Sequence, residues 1–242
     1  MLERLDIAMT PAEALLLAPA DCYLVIDALR ATTTIATLFA RGLSRLTAVS
    51  SLDAGRTLRR PGVVLFGEQG GLRPEGFDYG NSPVEAAALD LEGREAVLVT
   101  SNGTVALCAV ASRGMTVAAS LANLSAAAAF AAGHSSVVIV CAGNAGASRF
   151  SLEDFATAAA IAQSLSRAAP DAVLGDGAAL GMQIAQPARL LAVSTHAHIL
   201  RGLGLEADIE FAMRADSSPA APVVTSFGEG WVVLEDRRNP SK

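Results

Sequence analysis

Val25-Ile26-Asp27-Ala28-Leu29-Arg30-Ala31-Thr32-Thr33-Thr34 is an apolar run that stops on an aspartate, passes an arginine and enters a helical pattern on three hydroxyls. A short apolar run of this kind reads as a buried strand, and a polar stop followed by helix formers reads as the β-to-α corner of a parallel unit. In an open α/β sheet the carboxyl ends of the strands border the ligand crevice. A carboxylate, a guanidinium and the N–H groups of a helix start at one such end suit a metal ion holding a phosphate or another oxyanion.

The same alternation repeats along the chain. Apolar runs at residues 23–28, 46–50, 63–67, 96–100, 116–120 and 137–142 alternate with helical patterns at 33–41, 53–60, 83–89, 104–113, 124–132 and 152–169. Repetition of strand and helix predicts βαβ units, hence an α/β fold with a mainly parallel or mixed sheet. Ser151-Leu152-Glu153-Asp154 marks the start of the last of these helices, with Ser151 as its cap. Beyond Pro170 the pattern turns to helical segments at 178–185 and 188–203, then to two short strands at 223–227 and 231–234. Gly228-Glu229-Gly230 between them predicts a hairpin with a three-residue loop. This C-terminal third reads as a cap, a dimer element or an edge of the same sheet. One domain over 1–242 accounts for the pattern; a C-terminal subdomain at about 170–242 is the other division.

Composition narrows the function. Of the 242 residues, 52% are hydrophobic, enough for a large core, and the net charge of −6 offers no basic footprint for nucleic acid. Lys242 is the only lysine, which removes Schiff-base and Walker-A chemistry and leaves arginine as the cation for anion recognition. Cys22, Cys108 and Cys141 have no metal-binding spacing and read as buried free thiols, compatible with a reducing cytoplasm. Residues 1–6 do not read as a secretory signal, and the uncharged span 114–133 is broken by Thr116, Ser120 and Asn123, so neither a signal nor a membrane segment is expected.

Four strand ends carry polar clusters. Asp27 and Glu68 each end an apolar strand, and two such carboxylates suit Mg²⁺, unless they only cap helices or pair with neighbours such as Arg30. Ser101-Asn102-Gly103-Thr104 follows a strand and opens a helix, either as an oxyanion cradle or as an ordinary cap. The glycine-rich loop 70–83 brings Arg73, Asp78 or Asn81 over a ligand, or simply turns and caps the Pro83 helix. Gly143-Asn144-Ala145-Gly146 with Arg149 has the composition of an anion nest. Glu153 in the following helix reads as a complement to the helix dipole, and His134, His196 and His198 as ordinary polar residues. The Asp-x-Asp start of haloacid-dehalogenase phosphatases fails here, because Leu29 stands where the second acid belongs.

Taken together, these blocks resemble the 2-phosphosulfolactate phosphatases (ComB-like proteins). The likeness rests on Asp27-x-x-Arg30-Ala31-Thr32-Thr33-Thr34, on Gly67-Glu68 with Gly76-Phe77-Asp78-Tyr79-Gly80-Asn81-Ser82-Pro83, on Asn102-Gly103-Thr104, and on Cys141-Ala142-Gly143 with Ser151-Leu152-Glu153-Asp154. It runs from about residue 20 to 180 and departs at Gln69, where a basic residue is usual, and at Ser101, where threonine is usual. The resemblance implies a three-layer α/β/α fold and Mg²⁺-dependent hydrolysis of a phosphate monoester, giving sulfolactate and inorganic phosphate, as in coenzyme M biosynthesis. Asp27 and Glu68 are then the metal ligands, and Asp27, Arg30, Glu68 and Asp154 the catalytic set. Thr32, Thr33, Asn81, Ser101, Asn102, Gly103, Thr104, Gly143 and Arg149 are the candidate substrate contacts, with Arg149 or Arg73 on the sulfonate or carboxylate. Attack by water is expected, and a phospho-Asp27 intermediate is the rival. The expected partner is a small phosphate ester, with no nucleic acid and no membrane; the C-terminal helices are compatible with a homodimer. A non-catalytic metabolite-binding module and a phosphosulfolactate-forming lyase are the competing functions.

Overall fold

Cys22, Leu24 and Ile26 face one hydrophobic core while Tyr23 and Val25 face another. A strand covered on both faces is the condition for a parallel sheet between helical layers. The computed structural model describes residues 1–238; Lys242 lies outside them. In chain order the elements are β1 (Arg4–Ala8), α1 (Pro11–Leu16), β2 (Cys22–Ile26), α2 (Ala31–Ala40), β3 (Arg45–Val49), α3 (Leu52–Thr57), β4 (Val63–Gly67), α4 (Pro83–Ala87), β5 (Glu95–Val99) and α5 (Gly103–Val110). Then follow β6 (Met115–Ala119), α6 (Leu124–Ala131), β7 (Ser136–Cys141), α7 (Leu152–Ala168), β8 (Val173–Leu174), α8 (Asp176–Gly181), α9 (Pro187–Ala192), α10 (Thr195–Gly202), α11 (Glu206–Ala212), β9 (Pro222–Gly228) and β10 (Trp231–Asp236).

Among the described residues one 10-stranded mixed sheet runs β4-β5-β3-β10-β9-β6-β2-β7-β1-β8. The contacts β3–β10, β10–β9 and β9–β6 are antiparallel, and the others are parallel. Helices cover both faces, which is the three-layer α/β/α arrangement. One core joins Leu24, Ile26, Val137 and Ile139 to α6, α7 and the C-terminal helices. A second gathers Val25, Leu46, Phe66, Leu98 and Val140 around Leu38 and Phe39 of α2 and Leu107 and Val110 of α5. Each of these large side chains contributes roughly 1.5–3 kcal/mol by leaving water. A third, smaller core sets Val49, Leu65, Val97 and Val99 against α3 and Phe77.

Several sequence expectations change in the structure. The hairpin takes the middle of the sheet instead of an edge, and its loop is the two residues Glu229 and Gly230, with Gly230 at φ +73°. The helix expected over 188–203 is two helices, separated at Ser194, whose hydroxyl caps α10 by accepting from Ala197 N–H. Strand β1 and helix α11 have no counterpart in the sequence reading. β1 carries charge at Arg4 and Asp6 and pairs with β7 and β8.

The hairpin separates β3 from β6 in the sheet. Its three antiparallel steps reverse the strand sense between β3 and β6. Helix α5 leaves β5 and packs against β3, β10, β6 and β2. The start of α5 lies against the end of β2, where Gly103 approaches Asp27 and Ala31.

Candidate active site

Asp27 leaves β2 into a corner closed by its own backbone. The Thr32 hydroxyl accepts from Asp27 N–H at 3.1 Å and donates to Asp27 C=O at 3.0 Å, and Thr33 donates to Ala28 C=O at 2.8 Å. Helix α2 is buried from Ala31 to Phe39, so its hydroxyls turn to the nearest backbone groups instead of the crevice. Thr104 does the same, donating to Thr100 C=O at 2.8 Å. Asp27 itself is 6% exposed and accepts from Ala31 N–H at 3.2 Å. Burial raises its pKa to about 6; the charge of His196 and the Ala31 amide pull it down, and Glu68 and Glu153 push it up. A Cβ on Gly103 would lie 2.7 Å from Asp27 Oδ2 and 2.6 Å from the Ala31 methyl, so only glycine lets α5 start here.

Glu68 follows β4 and reaches across to the end of β5. Its Oε1 accepts from Ser101 N–H at 2.7 Å and its Oε2 from Gly71 N–H at 2.9 Å. Thr104 N–H donates to the Thr100 hydroxyl at 3.1 Å. The N–H groups of Asn102 and Gly103 have no protein acceptor among the described residues, so of the expected cradle these two donors remain. Asn102 Oδ1 accepts from Gly146 and Ala147 N–H at 3.0 and 3.1 Å and thereby shapes the loop after β7.

Arg30 is 4% exposed, and its guanidinium donates to Asp208 of α11 at 2.7 Å and to Gly71 C=O at 2.6 Å. The other oxygen of Asp208 accepts from the Ser82 hydroxyl at 2.5 Å. Asp154 is likewise buried, with one oxygen on Ala28 N–H at 2.8 Å and the other on Gly143 N–H at 2.9 Å. It ties the ends of β2 and β7 together. Burial, with the neighbouring charges of Asp27 and Glu153, raises its pKa well above the ordinary carboxylate value. Gly143 has φ +74°, and a Cβ there would meet the Arg149 carbonyl at 2.4 Å.

These groups border two spaces with residues in common. A cavity of about 20 Å³, room for one water or small ion, is lined by Asp27, Arg30, Glu68, Asn81, Asn102 and His196, with Leu29 and Gly71. A cleft of about 470 Å³ shares Glu68, Gly71, Asn102 and His196 with it and is further lined by Ser101, Asn144 and Arg149 and by Phe150, Val193 and Ile199. Arg149 is exposed and its guanidinium has no protein partner among the described residues, whereas Arg73 donates to Asp78 C=O at 3.0 Å and lines neither space. A hollow of about 530 Å³ beside Arg59, Arg60 and Arg94 lies at the amino ends of β4 and β5, away from the strand ends that carry the acids.

The donor set suits a hard cation. Asn81 is 3% exposed and its Oδ1 has no hydrogen-bond partner, an unsatisfied oxygen at the cavity that also holds Asp27 and Glu68. Among the described residues no group of three or more His, Cys, Asp or Glu is placed to hold a metal. Mg²⁺ does not require one, since it keeps several waters and takes one or two carboxylates. The residues present therefore fit Mg²⁺ and not a zinc-type cage.

Two site residues were missed in the sequence, His196 because it reads there as an ordinary polar residue and Asp208 because nothing marks it. His196 of α10 places Nδ1 3.2 Å from Glu153 Oε1. Burial alone lowers the His196 pKa, but the Glu153 contact and the charges of Asp27 and Glu153 outweigh burial and the opposing Arg30, and the net shift is upward. For Glu153 burial works toward a raised value, yet the His196 contact leads the groups that bring it below the ordinary one. Asp208 is the second. Each partner lies far along the chain, 178 residues from Arg30 to Asp208, and no local pattern signals such pairs.

Comparison with known proteins gives the family of the chain. The 2-phosphosulpholactate phosphatase family profile matches residues 9–226. A probable 2-phosphosulfolactate phosphatase of Thermus thermophilus is 38% identical over 231 residues, covering 91% of this chain and 94% of the relative. Proteins of the same description from Thermotoga petrophila, 35% identical over 228 residues (91% and 95% covered), and Deinococcus radiodurans, 38% over 213 residues (84% and 88%), are similar at comparable length. Among the described residues no helix is long and apolar enough to cross a membrane. The chain belongs to the 2-phosphosulfolactate phosphatase family, a family of phosphoric monoester hydrolases.

Proposed function

We propose that this protein hydrolyses 2-phosphosulfolactate, or a closely similar small acidic phosphate monoester, to sulfolactate and inorganic phosphate with Mg²⁺ as cofactor. The observation that carries this reading is the small cavity where Asp27, Glu68, the unpartnered Asn81 Oδ1 and Arg30 meet. Asp27, Glu68 and Asn81 are the residues that would hold Mg²⁺, and Mg²⁺ bound there would neutralise charge on the phosphoryl oxygens. Arg30, with guanidinium donors beyond those engaged by Asp208 and Gly71, and the Asn102 and Gly103 N–H groups bind the remaining phosphoryl oxygens. Arg149 holds the sulfonate or carboxylate in the larger cleft, where a planar cation suits a weakly basic oxyanion. Glu68 and Asp154 keep the strand ends in register so that these donors converge.

The test is phosphate release from a panel of small phosphate esters, with and without EDTA. Turnover of 2-phosphosulfolactate that EDTA abolishes and Mg²⁺ restores is the expected result. Tight binding without turnover would instead mark a metabolite sensor, and loss of substrate without free phosphate a lyase. For the tail contact, Arg149→Met should raise KM by roughly 10–100-fold with kcat within a few-fold of the parent, because a charge-assisted contact remote from phosphorus contributes equally to ground and transition states. A kcat loss with unchanged KM would remove Arg149 from that role.

A further inference from the structure

His196 is common to the two spaces. It lines both the small cavity with Asp27, Arg30 and Glu68 and the larger cleft with Ser101, Asn144 and Arg149. If a small cation occupies the first, and the substrate fills the larger cleft with its phosphoryl end toward Glu68 and Asn102 and its acidic tail toward Arg149, the ester oxygen lies on the stretch of the cleft that this imidazole lines. The ring is oriented from behind, with Nδ1 3.2 Å from a Glu153 carboxylate that is itself only 2% exposed. Nε2 has no protein partner among the described residues, and the side chain keeps 22% of its surface open. A histidine fixed through one nitrogen by a buried carboxylate, with the other unpartnered in a side chain that lines a cleft, has the makings of a general acid or base.

We infer that His196 is the general acid that protonates the leaving alcohol oxygen, and that Glu153 is its positioning residue. The inference rests on the phosphatase reading above. In the step, the oxygen of a water forms a bond to phosphorus while the bond from phosphorus to the ester oxygen breaks. The bonding pair stays on the ester oxygen, which takes the proton of His196 Nε2 and leaves as the alcohol of the hydroxy acid. The attacking water releases one proton to solvent and the imidazole regains one from solvent, so the products are the alcohol and inorganic phosphate. An alkoxide is a poor leaving group, and supplying its proton in the transition state contributes typically ~10²–10⁴-fold.

The leaving group provides the test, because a nitrophenolate departs without a proton. Purified His196→Gln and Glu153→Gln are compared with the parent on 2-phosphosulfolactate and on p-nitrophenyl phosphate in saturating Mg²⁺, with melting temperature and Mg²⁺ affinity by calorimetry alongside. The expected result for His196→Gln is a loss of kcat of about 10²–10³-fold on the alkyl ester, less than about 10-fold on the aryl ester, and unchanged Mg²⁺ affinity. Glu153→Gln, which leaves the imidazole in place, should show the same selective loss in smaller degree. Equal losses on both esters in a folded variant, no loss on either, or loss of Mg²⁺ binding would each overturn the assignment. Should His196→Gln fail to fold, the ester selectivity of Glu153→Gln decides. A parent enzyme that releases phosphate from neither ester would bring down the phosphatase reading, and the acid role with it.

Discussion

Asp27→Asn should abolish phosphatase activity, by about 10³-fold or more, and at the same time make the metal-free protein more stable at neutral pH. The two effects have one cause. Asp27 is almost completely buried among Glu68 and Glu153, and burial raises its pKa to about 6. Because the native state holds this proton more tightly than the unfolded chain, the stabilisation is complete below the ordinary carboxylate value and is lost as pH rises through about 6. At pH 8 the ionised carboxylate is therefore a strain that a cation relieves. Asparagine retains an oxygen for Ala31 N–H and carries no charge. In chelator, the melting temperature of Asp27→Asn should exceed that of the parent at pH 8, with the gap closing toward pH 5. Added Mg²⁺ should raise the melting temperature of the parent and leave the variant almost unmoved. Equal stabilisation of both by Mg²⁺ would remove Asp27 from the ligand set.

Arg30→Gln is expected to cause the largest loss of folding stability, about 3–5 kcal/mol by urea unfolding. The Arg30–Asp208 pair is buried, at 4% and 3% side-chain exposure, and joins the start of α2 to α11. Removing the guanidinium leaves the Asp208 carboxylate with only the Ser82 hydroxyl and strips the Gly71 carbonyl of its donor. Arg30→Gln with Asp208→Asn should be less destabilised than Arg30→Gln alone, since the second change removes the stranded charge. A single variant within about 1 kcal/mol of the parent would show that water reaches Asp208 and that the pair carries no structural weight.

Much of this site can be read in the sequence, and the reason is local. Asp27, Glu68, Ser101 and Gly143 follow strands whose apolar runs are unmistakable, and a polar residue directly after such a run lies at the sheet edge whatever the rest of the chain does. The caps are equally legible. The Ser151 hydroxyl accepts from Asp154 N–H, and Ser82 accepts from Glu85 N–H, as Ser-x-x-Asp and Ser-Pro starts suggest. Gly103 and Gly143 were legible as turn formers, but their true constraint is contact, with Asp27 and with the Arg149 backbone.

Other assignments depended on what surrounds each residue. Thr32 and Thr33 stand at a helix start, where hydroxyls are read as ligand donors; full burial of α2 turns them onto the backbone at residues 27 and 28. His196 and Asp208 sit in helices with several polar residues, none marked out by local spacing, and their importance comes from Glu153 and Arg30, distant in the chain. The hairpin of β9 and β10 was recognisable, whereas its place in the middle of the sheet was not. That insertion reverses the strand sense between β3 and β6, and α5 contacts strands on both sides of the hairpin as well as β10 within it.

Periodicities of two and 3.6 residues were enough to settle the α/β class, the strand ends and the acids on them, because each is written within a few neighbouring positions. Which hydroxyls turn inward, which carboxylate meets Arg30 and which histidine reaches the crevice were decided only on folding. A buried polar group takes whatever partner the packed chain brings within about 3 Å, and that partner is chosen by long-range packing and not by spacing along the sequence.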